Sequence, residues 1–271
     1  DDGGFTWTHP KDEKTGILFK GGTYHDAPNY HCAPMPVLEH NGRLYRAFED
    51  CTEPLNKRIF DSLVISVSVD ADLLDASNWT MSNKLSLDLD ALPSEWGQAD
   101  NTEWIEGNVV LGPDGELCNV LRLSRPLIDH AAIVKIHDEG KRVSFDPATG
   151  FIDFPGGGTK FTIRQDPQTG LYLSLVNNNT NPDFYNQRNV LSLSVSEDLV
   201  NWRLVKTLMT DDTGLTPEDS IRLTGFQYVD WQFDGDDIIY LVRAAYRGAV
   251  RFHDSNRILF CKLKDFRTLL S

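Results

Sequence analysis

Apolar residues along the chain fall in short runs, Val64 to Val69, Ile133 to Ile136, Leu171 to Val176, Val190 to Val195 and Ile238 to Val242, rich in Val, Ile, Leu and Tyr. Turn residues such as Asn-Gly, Asp-Gly and Thr-Gly bound them, which is the pattern of strands joined by tight hairpins. Almost no segment keeps apolar residues at i, i+3, i+4 and i+7 without a Gly, Pro or β-branched interruption. The chain therefore reads as all-β, with one helical turn near Thr216 to Ser220.

The strands repeat. An aromatic that closes a hairpin recurs at Trp7, Trp79, Phe145, Trp202 and Phe266, at intervals of 72, 66, 57 and 64 residues. Upstream of each of the last four sits a strand, a tight turn and a second strand: Pro36 to Leu38, Asn41-Gly42, Leu44-Tyr45; Val109 to Leu111, Asp114-Gly115, Leu117-Cys118; Phe161 to Ile163, Thr169-Gly170, Leu171-Tyr172; Val229 to Phe233, Asp234-Gly235, Ile238-Ile239. Two hairpins in about 60 residues make a four-stranded blade of a β-propeller. A double-sheet sandwich would not repeat in this way. The spacing divides one domain, 1–271, into the tail of a partial blade (1–20) and blades at 21–87, 102–146, 151–209 and 224–269.

Length and charge narrow the function. The 271 residues are 40% hydrophobic and 24% charged, enough for a large core. Lys and Arg total 26 against 40 Asp and Glu, a net charge of −14 that disfavours a nucleic-acid partner. No apolar run is long enough for a membrane-spanning helix, and the first residues lack the features of a secretion signal. The four cysteines, Cys32, Cys51, Cys118 and Cys261, form no C-x-x-C pair, so they read as free thiols; no metal or cofactor is indicated.

In a four-stranded blade, polar residues at the start of the innermost strand and the end of the second strand lie near the axis. Seven residues past Gly42, Gly115 and Gly170 stand Glu49, Arg122 and Asn177, and eight past Gly235 stands Arg243. The inner-strand starts add His31, Glu106 with Asn108, Lys160 after a glycine run, and Tyr228 with Asp230. Asp50 adjoins Glu49. A carboxylate in a narrow axial hole needs a cation or a chemical task, which singles out Glu106.

Asp2-Gly3-Gly4-Phe5-Thr6-Trp7 fits the Asp-box pattern, D-x-G-x-T-W, of sialidase-like propellers, in which the Trp packs between blades. Glu106-Gly107-Asn108, a turn at Asp114-Gly115 and Arg122 sixteen residues after the Glu resemble the sialidase blade that carries a Glu and a substrate arginine. Tyr228 before Val229 to Phe233 is similar to the strand bearing the nucleophilic Tyr of that family.

The resemblance implies a six-bladed domain, five blades being the alternative, whose first part is missing here, and an exo-acting glycoside hydrolase, secreted or periplasmic. Its Tyr228 hydroxyl, activated by Glu106, would attack an oxocarbenium-like centre with retention. Arg122, Arg243, Lys160, Glu49, Asp50, Asn108, Asp230, His31 and Asn177 would contact a carbohydrate. Sialidases clamp a carboxylate with three arginines; Arg122 matches the second, but Phe154 to Lys160 offers no third. The first arginine and the acid Asp would lie before Asp1. Three other readings stay open: a carbohydrate-binding propeller without catalysis, a polysaccharide lyase, and a paired-carboxylate glycosidase drawing on Glu49, Asp50, Asp230, Asp254 and Glu106. A torn first blade would leave an open edge through which copies of the chain associate.

Overall fold

The computed structural model describes residues 2–23, 26–51, 59–97 and 101–270; Asp1 of the expected tail and 24–25 and 52–58 of the first expected blade lie outside the described residues. The described chain is an all-β propeller of four antiparallel sheets. Blade I holds β1 (Tyr30–His31), β2 (Leu38–His40), β3 (Arg43–Cys51), β4 (Phe60–Ser68) and β5 (Thr80–Met81). Blade II holds β6 (Trp104–Leu111), β7 (Leu117–Leu123), β8 (His130–His137), β9 (Arg142–Ser144) and β10 (Phe151–Asp153), with the short α1 (Pro147–Gly150) between the last two. Blade III holds β11 (Thr162–Gln165), β12 (Tyr172–Asn177), β13 (Val190–Ser196) and β14 (Trp202–Thr210). After α2 (Pro217–Leu223), blade IV holds β15 (Gly225–Asp234), β16 (Asp237–Ala245) and β17 (Arg257–Leu263).

The repeated hairpins form at the expected turns. Gly42, Gly115, Gly170 and Gly235 all have φ between 65° and 80°, the left-handed region that glycine adopts without steric penalty. Helix α2 starts where Thr216 caps it by accepting the amide of Asp219, 3.2 Å, with Pro217 at the first helical position.

Three apolar cores lie between successive blades. Tyr45 and Val64 of blade I meet Trp104, Leu121 and Val134 of blade II; Val120 and Ile152 of blade II meet Phe161 and Tyr172 of blade III; Leu173 and Leu193 of blade III meet Phe226, Trp231 and Val242 of blade IV. Buried polar groups lace the same seams. Trp104 Nε1 donates to Phe60 O (3.0 Å), Tyr172 Oη to Leu111 O (2.7 Å) and Trp231 Nε1 to Thr162 O (2.9 Å). Each satisfies a large aromatic that is otherwise dry.

The repeating aromatics behave unequally. Phe145 packs on Trp104 and Phe151, Trp202 on Phe154, and Phe266 on Phe233. Trp7 does not pack between blades: the Asp2 carboxylate accepts the amides of Gly4 and Phe5 and Trp7 Nε1 donates to Gly4 O, yet Trp7 is 85% exposed because no strand covers it among the described residues. On blade IV, Leu241 of β16 and Ile258 and Phe260 of β17 are also exposed. No disulfide joins the four cysteines, of which Cys51 and Cys118 are buried. No helix among the described residues is long and apolar enough to cross a membrane.

Candidate active site

Two β-bulges build the site. In blade II the pairing of β6 with β7 passes from Ile105↔Arg122 to Asn108↔Val120, so Glu106 and Gly107 together oppose Leu121. In blade IV it passes from Gln227↔Arg243 to Asp230↔Leu241, so Tyr228 and Val229 oppose Val242. The first residue of each bulge is left-handed, Glu106 at φ 59° and Tyr228 at φ 51°. Such a backbone is uncommon for a residue with a Cβ, and bulges of this kind re-aim a side chain out of the strand's alternation.

Both side chains line one cavity of about 420 Å³, together with His31, Arg122, Arg188, Tyr185 and His253. An adjoining recess shares His31, Glu106 and Tyr228 and adds Arg243 and Asp230. Arg122 Nη1 donates to Glu106 Oε2 at 2.7 Å, and its Nε donates to the carbonyl of Gly158 at 2.9 Å. The glycine run makes the second contact possible. A Cβ on Gly157 would stand 2.2 Å from His130 O, and one on Gly158 2.5 Å from Leu127 O.

Arg188 is the functional-looking residue that the sequence reading missed. It lies in the polar run before β13, is 3% exposed, and donates to Gln227 Oε1 and to Asn186 Oδ1. Its guanidinium carbon stands 5.5 Å from the centre of the Tyr228 ring, and that of Arg243 stands 4.7 Å from the same ring. Arg243 in turn donates to His253 O at 2.6 Å. Tyr228 is thus flanked by two cations. The signal lost in the sequence was positional: Arg188 follows ten residues of loop after β12, so no count from a hairpin glycine reaches it.

The electrostatics of the cavity are lopsided. Burial pushes the Glu106 carboxyl up, but the charge and hydrogen bond of Arg122, with Arg188 and Lys160 behind, more than offset this and hold it below its ordinary value. Arg188 is pulled down to about 10 by burial and by Arg122, against the opposing pull of Tyr228 and Glu106. His253 is lowered by burial, with Arg188, Arg243 and Arg251 adding to the effect. A buried cluster with more cations than carboxylates is suited to an anion.

Several expected contact residues turn elsewhere. Asp50 accepts from the Asn29 amide and from Lys84 Nζ, both at 2.6 Å, and lines neither cavity. Asn108 ties blade II to blade III, accepting the Ile163 amide at 2.9 Å and donating to Phe161 O. Asn177 donates to Phe226 O at 2.6 Å, tying blade III to blade IV. Glu49 and Lys160 are buried beside the bulges and line neither cavity. Asn108, Asn177, Glu49 and Lys160 each bond a backbone group of the next blade, and strand counting reveals the level of a residue but not which neighbour it meets. Asp230 pairs with Arg164 at 3.3 Å, and Asp254 with Arg251 at 2.8 Å. No group of three or more His, Cys, Asp and Glu side chains among the described residues is arranged to hold a metal ion.

No family model and no curated protein sequence matches the chain. Among solved structures it is similar to a protein of unknown function from Dyadobacter fermentans, 15% identical with a TM-score of 0.53, over 97% of this chain and 62% of that one. It is similar to an exo-β-1,3-galactanase from Phanerochaete chrysosporium, 12% identical with a TM-score of 0.51, over 82% of this chain and 46% of that one. A third likeness is to the intramolecular trans-sialidase from Ruminococcus gnavus, 19% identical with a TM-score of 0.47, over 89% of this chain and 44% of that one. The two neighbours of known activity are glycoside hydrolase β-propellers. At these identities the likeness is one of fold. The chain spans 62% of the length of the first of these structures and less than half of the other two.

Proposed function

We propose that this chain carries the axial site of a glycan-degrading hydrolase of sialidase type, acting on a terminal sugar that bears a carboxylate. One observation carries the reading: Tyr228 and Glu106 line the same cavity as two buried arginines, Arg122 and Arg188, with the Arg243 guanidinium carbon 4.7 Å from the centre of the Tyr228 ring. Guanidinium forks suit a carboxylate better than point charges do. Arg188 supplies the arginine that the sequence reading found lacking.

In this reading the sugar carboxylate docks on Arg122 and Arg188. The Tyr228 oxygen attacks the anomeric carbon, its proton passes to the Glu106 carboxylate, and the bond from that carbon to the departing oxygen breaks with its electron pair. Water then attacks the same carbon and loses its proton to solvent, while the tyrosine oxygen leaves and takes back the proton held by Glu106, so configuration is retained and both side chains return to their starting states. The flanking guanidinium groups stabilise negative charge as it develops on the phenol oxygen. An aryl leaving group departs as a stable anion and needs no acid, so aryl glycosides test the pair directly.

The test is turnover of 4-methylumbelliferyl α-N-acetylneuraminide against a panel of neutral aryl glycosides. Turnover of the acidic substrate that Tyr228→Phe lowers at least about a hundredfold supports the reading; turnover of neutral sugars alone sinks it. The 2.7 Å ion pair between Arg122 and Glu106 favours one second reading, a carbohydrate-binding module in which Glu106 only orients the arginine. That reading expects acidic-sugar binding with no turnover.

A further inference from the structure

Each bulge is gripped by a buried charge from the blade before it. At the blade II bulge, Glu49 Oε1 of blade I accepts the amide of Gly107 at 3.2 Å, while Glu49 Oε2 lies 3.1 Å from His31 Nδ1. At the blade IV bulge, Lys160 Nζ, at the start of blade III, donates to the carbonyl of Val229 and to Thr162 Oγ1, each at 2.5 Å. Thr162 Oγ1 donates to the same carbonyl at 3.0 Å. Gly107 and Val229 are equivalent residues, the second of each bulge. One blade thus holds the N–H with a carboxylate, and the other holds the C=O with an ammonium.

This arrangement has a physical rationale. A bulge interrupts the ladder, and a buried backbone group left without a partner is costly. A left-handed Glu or Tyr also carries about 1 kcal/mol or more of backbone strain that the surroundings must hold in place. Glu49 and Lys160 are 1% and 3% exposed, and a buried charge is a poor way to gain stability alone. We infer that Glu49 and Lys160 are positioning residues, whose task is to lock the two bulges so that Glu106 and Tyr228 aim into the cavity. The assignment of what those two side chains then do rests on the reading proposed above; the lock itself does not.

The surroundings of Lys160 agree with strain accepted for position. Burial pulls its ammonium down to about 8, although Asp230 and Glu106 oppose this, and Arg164 adds to the depression. Burial likewise raises the Glu49 carboxyl, against the hydrogen bond and charge of His31 and the Gly107 amide, with Glu106 adding to the rise.

The experiment measures amide hydrogen exchange of the peptides spanning 104–109 and 226–231 in the folded chain, with wild type beside Lys160→Met, Thr162→Val, Glu49→Leu and Glu49→Gln. Lys160→Met should raise exchange across 226–231 at least about tenfold and leave 104–109 unchanged, and Glu49→Leu should do the reverse. Glu49→Gln keeps an acceptor for the Gly107 amide and should restore most of the protection. Thr162→Val, which removes one donor and no charge, should shift 226–231 in the same direction by less, and it serves if Lys160→Met does not fold.

On an aryl glycoside that the wild type turns over, Lys160→Met should lower kcat about 10- to 100-fold with KM little changed, as expected of a nucleophile misplaced by an ångström. Unchanged exchange at both bulges, or exchange that rises everywhere equally, overturns the lock. Selective loosening in a protein that turns over no glycoside supports the lock and sinks the hydrolase reading instead.

Discussion

Glu106 and Tyr228 occupy the same bulge position in blades II and IV, each one residue along the inner strand from the partner of an arginine, Arg122 for the first and Arg243 for the second. The propeller repeat therefore places a carboxylate and a phenol at equivalent levels, each beside its own guanidinium. In the first pair the contact is an ion pair and in the second a cation over a ring. In the proposed reaction the first serves as base and the second as nucleophile, so one backbone device would display both chemistries.

Replacing Arg188 tests the anion site. Arg188→Lys keeps a charge but loses the fork, and affinity for an acidic monosaccharide should fall by roughly 10- to 100-fold, on the scale of a lost charge-assisted pair. Calorimetric titration with N-acetylneuraminic acid measures it. Unchanged affinity would remove Arg188 from the site.

Glu106→Gln keeps the size of the side chain and removes the proton acceptor. Turnover of an aryl substrate should fall at least about a hundredfold, while binding of the acidic sugar is retained or improves as Arg122 is released from its ion pair. Equal losses in binding and turnover would reduce Glu106 to an orienting group.

Lys160 gives a pH signature of known sign. Its folded value near 8 lies below the ordinary 10.5, so between these pH values the unfolded chain binds more protons and stability should rise with pH, by up to about 3 kcal/mol from this group. Below pH 8 both states hold the proton and the penalty is fully present. Denaturant unfolding from pH 7.5 to 10.5 should show the rise in wild type and lose that component in Lys160→Met; identical slopes would refute it.

The row Leu241, Ile258 and Phe260 leaves about half or more of each side chain in water, and Leu241 and Phe260 are directly paired across β16 and β17. An apolar sheet face of this kind favours pairing with another copy. Concentration-dependent association is expected in size-exclusion chromatography, and Phe260→Lys should reduce it. A monodisperse wild-type monomer at all concentrations would count against the patch.

Much of the fold is legible in the chain because hairpin geometry is local. Gly42, Gly115, Gly170 and Gly235 each take a positive φ that few other residues accept, so the turns announce themselves. Arg122 follows from counting past Gly115, Glu106 and Tyr228 from the starts of their inner strands, and the three line one cavity. Arg188 was hidden by its irregular loop. Asn108 and Asn177 were assigned to ligand contact because a strand position fixes depth along the axis but not the blade across the seam, where both amides satisfy backbone groups. Trp7 carries the right turn chemistry at 85% exposure, since a motif fixes a local turn and not the packing above it.

The left-handed backbone at Tyr228 bears on how such a chain ages over generations. Asparagine or glycine would sit there more comfortably than tyrosine, so the backbone itself favours drift toward a residue without the phenol. A lineage that no longer needed the reaction would lose this side chain early and grow sturdier at the bulge for losing it, the usual exchange of activity for robustness. At φ 51° the backbone thus sets a standing preference against the side chain it carries, one that the proposed reaction would have to outweigh.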